Sequence, residues 1–126
     1  MKKILLLLLL VTSVFMLSSC QPHNEEYKKI TPQEAKSIID NEKNYIILDV
    51  RTQEEYSSGH IKNAILIPNE DIYYKAEQIL KDKDQLILVY CRSGRRSKEA
   101  AVKLIDLGYT NVLDFGGIID WPYEIE

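Results

Sequence analysis

The sequence predicts an α/β domain of three layers, in which a mostly parallel five-stranded sheet carries helices on both faces. Three observations lead to this prediction. Short apolar runs alternate along the chain with amphipathic stretches, which is the pattern of strands alternating with helices. Residues 86–90 form an unbroken apolar run, as expected of a strand covered on both faces. Two Thr-x-x-Glu capping boxes, at Thr31 and Thr52, mark helix starts.

The five strands are predicted from the apolar runs. They are expected at residues 27–30, 45–50, 65–67, 86–90 and 112–115. The first is short and contains two lysines, so we expect it at an edge of the sheet.

Four helices are predicted between the strands. They are expected after Thr31, after Thr52 with an end near Gly59, over residues 70–80, and over residues 97–107 before Gly108. Pro32 at the first helical position strengthens the first of these. Because parallel sheets place active sites at the carboxyl ends of their strands, chemistry is expected at that edge.

The first 19 residues have the features of a secretion signal. A basic start precedes an apolar run of about 14 residues, which is shorter than the roughly 20 needed to span a membrane. The following Leu17-Ser18-Ser19-Cys20 resembles the lipobox of bacterial lipoproteins. That resemblance implies a lipid with palmitate-type acyl chains on Cys20 and an exported protein anchored on the periplasmic or outer cell-surface side. Cleavage without lipidation is the alternative.

The chain is therefore divided into three parts. Residues 1–19 are predicted to be a lipoprotein signal peptide, residues 20–26 a lipidated tether, and residues 27–126 the folded domain. Without Lys2 and Lys3, 14 basic residues stand against 19 acidic ones. This balance argues against a nucleic-acid partner and against attraction to anionic lipid.

Cysteine usage points to a single reactive thiol. The chain has two cysteines, Cys20 and Cys91, so lipid on the first leaves the second without a partner for an internal disulfide. Two histidines and one available cysteine give no metal-site spacing, and neither a metal nor another cofactor is predicted.

Cys91 begins the segment Cys-Arg-Ser-Gly-Arg-Arg-Ser, between the most apolar strand and a predicted helix. A helix N-terminus and three arginines favour the thiolate, which is the nucleophilic form. Gly94 allows a tight turn that lets several N–H groups form an anion cradle. Arg96 is the best candidate for contacting an anion, whereas Arg92 and Arg95 either contact it or point to solvent. A buried structural cysteine is the alternative for Cys91.

This segment resembles the active-site loop of rhodanese domains, and two further motifs extend the resemblance over essentially the whole folded domain. The upstream motif comprises Asp49, Val50, Arg51, Glu55, Tyr56, Gly59, His60, Ile61, Ala64 and Pro68, and the final motif Phe115, Gly116, Gly117 and Trp121. The resemblance implies a rhodanese-like fold and a thiosulfate sulfurtransferase. Cys91 would carry sulfur as a persulfide from thiosulfate or a similar donor to cyanide or a thiol. The donor would be bound by Arg92, Ser93, Gly94, Arg95 and Arg96.

Two other functions stay open at this point. A rhodanese-like lipoprotein can bind a partner without catalysis. Cysteine-dependent phosphatases and arsenate reductases of related fold place five residues between cysteine and arginine, whereas four separate Cys91 from Arg96. Tyr90 also stands where those phosphatases usually have histidine.

The remaining polar and aromatic residues are assigned structural roles. Arg51 is expected to pair with Glu54 or Glu55. His60 is not expected to be a general base, because the thiolate forms without one. Trp121 is expected to be a core or lid aromatic. Residues 122–123 either close the domain or leave its edge looser.

Overall fold

The computed structural model describes residues 26–126, so the predicted signal peptide and all but the last residue of the predicted tether lie outside it. The strands are β1 (Lys28–Lys29), β2 (Tyr45–Asp49), β3 (Ile65–Leu66), β4 (Leu86–Cys91) and β5 (Val112–Gly117). The α-helices are α1 (Pro32–Asn41), α2 (Gln53–Ser57), α3 (Ile72–Ile79) and α4 (Arg95–Asp106). Two 3-10 helices span Asn69–Asp71 and Ile118–Asp120.

All five strands join one parallel sheet in the order β1-β5-β4-β2-β3. The predicted fold class is thereby confirmed. The apolar strand β4 lies at the centre, and its register against β5 shifts between Val89 and Cys91, so that Cys91 pairs with Gly117. This irregularity lies at the carboxyl edge of the sheet, beside the segment that carries the predicted nucleophile.

Two cores cover the two faces of the sheet. Helices α3 and α4 supply Ile72, Ala76, Ala100, Ala101 and Leu104 to one core. Helix α1 supplies Ala35 to the other core, and Tyr56 of α2 packs against it. Alternate residues of β4 enter the two cores, since side chains of a strand point to opposite faces. Cys91 therefore faces α3 and α4, whereas the preceding Tyr90 faces α1 and α2.

Both predicted capping boxes form. The Thr31 hydroxyl accepts the Glu34 N–H at 3.0 Å, and the Thr52 hydroxyl accepts the Glu55 N–H at 3.2 Å. Each glutamate also accepts the backbone N–H of its threonine. Helices α1 and α2 thus begin where local side-chain chemistry satisfies their first N–H groups.

Two helix boundaries differ from the prediction. Helix α4 begins at Arg95 rather than near residue 97, because Gly94 adopts a left-handed conformation and acts as its N-cap. The stretch predicted as one helix over residues 70–80 is divided, because Asp71 has φ −98° and ψ −2°, flatter than α-helical values. Within residues 26–126, no helix has the length and apolar character needed to cross a membrane. The same residues contain no cluster of three metal-ligating side chains.

Candidate active site

The predicted nucleophile, Cys91, is the last residue of β4 and lies just before the N-terminus of α4. Gly94, at φ 112°, turns the chain from strand into helix. This turn points the Gly94 N–H back at the sulfur, and the distance from Gly94 N to Cys91 Sγ is 3.0 Å. A helix N-terminus and an inward amide both stabilise negative charge, so the position is suited to a sulfur that carries negative charge during a reaction.

Cys91 is nevertheless 1% exposed and forms part of the core beneath α4. Burial is what a structural cysteine would also show, so exposure does not distinguish the two roles of this residue. The amide contact does, because an apolar core cysteine has no need of an N–H donor aimed at its sulfur. The geometry is suited to holding charge on Sγ at the floor of the loop.

Positive charge is concentrated at the start of α4, which is the end of a helix where positive charge is least favourable. The first turn holds Arg95 and Arg96 and no acidic residue. Because the helix dipole disfavours cations at its N-terminus, this arrangement lowers helix stability. Sequences that break a local rule in this way commonly do so at functional sites, here one suited to an anion.

Two of the three predicted loop arginines lie at the surface. Arg92 and Ser93 are exposed, and the Arg92 carbonyl accepts the N–H of Ile119 at 3.2 Å. The side chain of Arg95 is 74% exposed and lies 3.0 Å from the Glu99 carboxylate, one turn further along α4. Arg95 is therefore directed along the outer surface of α4 by a carboxylate partner.

Arg96 is held by a residue from the opposite face of the sheet. Its Nη1 and Nη2 donate to the two carboxylate oxygens of Glu55 at 2.6 and 2.9 Å. The hydrogen bond from Arg96 is the largest influence on Glu55 and lowers the pKa of this carboxyl to about 2. Glu55 belongs to α2 and Arg96 to α4, so this bidentate pair bridges the two helices across the carboxyl edge of the sheet.

The end of β5 forms a second wall of the loop. A Cβ atom on Gly117 would lie 2.0 Å from the Arg92 carbonyl oxygen and 2.6 Å from the Ser93 Cα. Only glycine permits this approach, since both neighbours are backbone atoms. The Ser97 hydroxyl adds a hydrogen bond to the carbonyl of Gly94 at 3.1 Å. The loop is thus fixed against β5 as well as against α2.

A buried polar network lies on the other face of the sheet edge. Arg51 donates from Nε and Nη2 to Asp49 at 2.7–3.1 Å, and from Nη2 to the Gly59 carbonyl at 2.7 Å. The Tyr90 hydroxyl donates to Asp49 at 2.6 Å and accepts the Ile61 N–H at 3.1 Å. Burial, assisted by the hydrogen bond to Asp49, raises the pKa of Tyr90. The predicted pairing of Arg51 with Glu54 or Glu55 is wrong, because Arg51 folds back over the end of its own strand.

His60 and Trp121 have structural contacts. The His60 ring stacks on Tyr56 with 3.9 Å between centroids, and its Nδ1 lies 3.0 Å from the Tyr56 carbonyl oxygen. Trp121 is buried and packs against Phe115, as expected of a core aromatic. The last residues lie against the domain, since Ile125 forms a bridge with Ile61.

Of the predicted loop residues, Gly94 contacts the Cys91 sulfur, whereas Arg92, Ser93 and Arg95 lie at the surface and Arg96 pairs with Glu55. The structure also adds residues that the sequence did not single out for the site. The sequence predicts Glu55 as a cap residue, a motif residue and a candidate partner of Arg51, and Tyr90 as a strand residue that departs from the phosphatase pattern. It assigns no role to Ile119. The two glycines that end β5 are the available signal of a close approach, because Gly117 permits backbone contacts that a Cβ would block. Cys20 lies outside the described residues.

Comparison with known families gives one match that covers most of the chain. The family model for the rhodanese-like domain matches residues 31–122. The chain is 37% identical over 73 residues to the thiosulfate sulfurtransferase PspE of Escherichia coli K12, covering 58% of this chain and 70% of that protein. It is 38% identical over 105 residues to the adenylyltransferase and sulfurtransferase UBA4 of Candida albicans. That match covers 78% of this chain but only 24% of UBA4, so the chain spans about a quarter of that relative.

Solved structures give the same result for the fold. The crystal structure of a rhodanese-like domain protein from Staphylococcus aureus is 34% identical and has a TM-score of 0.67. It aligns with 79% of this chain and 96% of its own. The fold and the sequence motifs therefore agree on the same family.

Proposed function

This chain belongs to the family of rhodanese-like domains, and we propose that it is a sulfurtransferase that carries sulfane sulfur as a persulfide on Cys91. The donor is thiosulfate or a similar compound, and the acceptor is cyanide or another thiol. The names of the relatives PspE and UBA4 support a transferase, and the former supports thiosulfate as a donor.

The proposed chemistry proceeds by two displacements. The Cys91 thiolate attacks the outer sulfur of thiosulfate, a new S–S bond forms, and sulfite leaves with the electron pair of the broken bond. Cyanide then attacks the outer sulfur of the persulfide, so that thiocyanate leaves and the Cys91 thiolate is regenerated. A thiol acceptor would leave as its own persulfide. Neither step needs an external oxidant or reductant.

The observation that carries this proposal is the hydrogen bond from the Gly94 N–H to Cys91 Sγ at 3.0 Å. The same kind of donor would stabilise the anionic outer sulfur of a persulfide, and it costs no reorganisation because the turn is already formed. Arg92, which no ion pair within residues 26–126 includes, supports the proposal by adding a positive charge that attracts an anionic donor to this loop.

The direct test is thiocyanate formation from thiosulfate and cyanide by the purified protein. We expect turnover in the wild type and a loss of at least about a thousandfold in Cys91→Ser, because the hydroxyl is a far weaker nucleophile. Cys20→Ser is the matched control, since it removes the other cysteine of the chain, and it should turn over normally. Undiminished turnover in Cys91→Ser would exclude the proposal.

A noncatalytic binding domain is the second candidate, and the observation that favours it is the carboxylate of Glu55, which occupies both Nη atoms of Arg96, the arginine predicted to contact the anion. It predicts a folded protein that forms no thiocyanate with thiosulfate or with a thiosulfonate donor. Turnover that depends on Cys91 would exclude this candidate.

We also propose that the domain is exported and tethered to a membrane by lipid on Cys20. The basic start, the apolar run and the lipobox-like tetrapeptide support this proposal. Growth of an expressing bacterium with an alkyne-tagged palmitate analogue should label the wild-type protein and leave Cys20→Ser unlabelled. Equal labelling of both would contradict lipidation at Cys20.

A further inference from the structure

The three arginines of the loop differ in whether a carboxylate already neutralises them. Arg95 is paired with Glu99 and Arg96 with Glu55. Among the ion pairs within residues 26–126, none includes Arg92. The net positive charge presented to a donor is therefore smaller than three arginines suggest, and Arg92 is the loop arginine that no carboxylate neutralises within those residues.

The pair between Arg96 and Glu55 is the one that matters for the sulfur. Its two short hydrogen bonds occupy both Nη atoms of the guanidinium, at 2.6 and 2.9 Å. Both side chains are mostly buried, with 23% and 27% exposure. Solvent therefore screens this pair less than it screens the exposed pair of Arg95 and Glu99.

Glu55 is also held rigidly in its place. Its Oε1 accepts hydrogen bonds from the N–H and the hydroxyl of Thr52 at 3.3 and 3.2 Å, as part of the cap of α2. The carboxylate stays ionised at neutral pH, because the Arg96 hydrogen bond lowers its pKa to about 2. A fixed negative charge therefore lies next to the arginine that would otherwise bind the donor.

This charge lies beside the loop that holds the reacting sulfur. Arg96 stands in the first turn of α4, two residues after Gly94, whose N–H lies 3.0 Å from Cys91 Sγ. The carboxylate of Glu55 is joined to Arg96 by two hydrogen bonds, so both charges border the N-terminus of the helix that faces Cys91. A donor seated on Cys91 would consequently sense Glu55 as well as Arg96.

We propose that Glu55 is a positioning residue that sets the charge of the donor, and that it selects singly charged sulfane-sulfur donors over the dianion thiosulfate. This inference rests on the proposed sulfurtransferase function and names the substrate class of the same site. A dianion must either displace a bidentate carboxylate from Arg96 or bind beside that carboxylate. A monoanion such as a thiosulfonate or an organic persulfide meets half the repulsion, since Coulomb energy scales with charge.

The test compares two donors with the same reacting sulfur, thiosulfate and benzenethiosulfonate, in wild type and Glu55→Gln. Glutamine keeps the capping box, because it serves at this position as glutamate does. If removal of the charge raises kcat/KM for the monoanion by about threefold, it should raise that for the dianion by about tenfold, the square of that factor. The change should lie mainly in KM, because the charge acts on donor binding.

Glu54→Gln is the matched control. It makes the same charge change on the same helix, and Glu54 is exposed and forms no ion pair within the described residues. The preference between the two donors should stay at the wild-type value in this variant. An unchanged donor preference in folded Glu55→Gln would overturn the inference.

The salt dependence of the wild-type enzyme gives a test that needs no variant. Between about 20 and about 200 mM salt, kcat/KM for thiosulfate should fall by less than about threefold, because only one loop arginine is uncompensated. A fall of more than about tenfold would mean that the charge of Arg96 is available to the donor and would also overturn the inference.

Failure of the proposed sulfur transfer can be distinguished from failure of charge selection by Glu55. If neither donor leaves sulfur on Cys91, thiosulfate and benzenethiosulfonate binding is measured by calorimetry in the Cys91→Ser background, which requires no sulfur transfer. Adding Glu55→Gln should then tighten thiosulfate binding by more than it tightens benzenethiosulfonate binding. Equal effects on both anions would reject charge selection by Glu55 even in a noncatalytic domain.

Discussion

Two arginine–carboxylate pairs lie at the carboxyl edge of the sheet, and they differ in their surroundings. Asp49 and Arg51 are 0% and 6% exposed. Besides contacting each other, they hydrogen-bond to the Gly59 carbonyl and to the Tyr90 hydroxyl. Glu55 and Arg96 are partly exposed and join two helices that cover opposite faces of the sheet. The same kind of ion pair therefore supports the scaffold in one place and borders the loop of Cys91, the proposed nucleophile, in the other.

The difference in burial predicts different consequences of mutation. Removing one member of a fully buried pair leaves an uncompensated charge in the core, which is costly to the folded state. Removing one member of a partly exposed pair costs less, because water can replace the lost partner. Mutation of the pair of Asp49 and Arg51 should therefore lower the free energy of unfolding more than mutation of the pair of Glu55 and Arg96. Sulfur transfer should respond more strongly to mutation of the pair of Glu55 and Arg96.

Asp49→Asn should have the largest effect on stability. It removes the charge that Arg51 and Tyr90 contact, and we expect a loss of about 3–5 kcal/mol in the free energy of unfolding. Urea unfolding at neutral pH measures it, with Glu54→Gln as a surface control. Sulfur transfer per folded molecule should stay near the wild-type value. A loss below about 1 kcal/mol would show that the buried pair is not the stronger support.

Gly117→Ala should come second in stability and should greatly reduce activity. The new Cβ would lie 2.0 Å from the Arg92 carbonyl oxygen, so the loop backbone must move away from β5. We expect a loss of about 1–3 kcal/mol together with a fall in sulfur transfer of about a hundredfold or more. Gly108→Ala is the control, because its Cβ meets no atom within 4 Å and the strain at φ 92° lies at the far end of α4. Equal activity in the two variants would contradict the proposed fit of loop to strand.

The pair of Glu55 and Arg96 should make a smaller, pH-dependent contribution to the free energy of unfolding. The pKa of Glu55 is lowered from 4.5 to about 2, first by the hydrogen bond from Arg96. The contribution of Glu55 to the free energy of unfolding is therefore complete at pH values above its unfolded-state pKa, and it is lost as the pH falls toward about 2. We expect about 1–2 kcal/mol at neutral pH after allowing for partial exposure.

Urea midpoints of wild type and Glu55→Gln between about pH 2 and about pH 7 measure this share. The two curves should approach each other toward the acid end, because the Glu55 carboxyl is protonated in the unfolded state there and is becoming protonated in the folded state as well. A difference that is the same at every pH would show that the ion pair contributes nothing to stability.

Arg95→Gln should have the smallest effect. The pair of Arg95 and Glu99 is an exposed helical pair, and its loss should leave the urea midpoint unchanged. The preference between thiosulfate and benzenethiosulfonate should change less than in Glu55→Gln, because Arg95 points along the outer surface of α4. A larger change in donor preference in Arg95→Gln than in Glu55→Gln would mean that the pair of Arg95 and Glu99, and not the pair of Arg96 and Glu55, determines which donor is preferred.

Much of the fold follows from local sequence signals. The apolar run of β4 correctly predicts a strand covered on both faces, and the capping boxes at Thr31 and Thr52 place two helix starts correctly. These signals succeed because neighbouring residues determine them. The same holds for Cys91, whose position at a strand end follows directly from the apolar run before it.

The contacts around the site were less predictable. Glu55 and Arg96 are 41 residues apart, and no local pattern distinguishes their pairing from a pairing of Glu55 with Arg51. Arg51 instead meets Asp49, two residues earlier and on the same side of the strand, which a helical spacing rule does not consider. The start of α4 was placed too late because the left-handed turn at Gly94 shortens the loop. Tertiary packing decided each of these outcomes.

The most direct test of the central claim is the mass of the Cys91 peptide after the full chain has been treated with thiosulfate. A sulfur held at the floor of this loop should add about 32 Da to that peptide, and cyanide should remove it with release of thiocyanate. An unmodified Cys91 peptide in protein that still forms thiocyanate, or no adduct and no thiocyanate at all, would contradict persulfide transfer at this site.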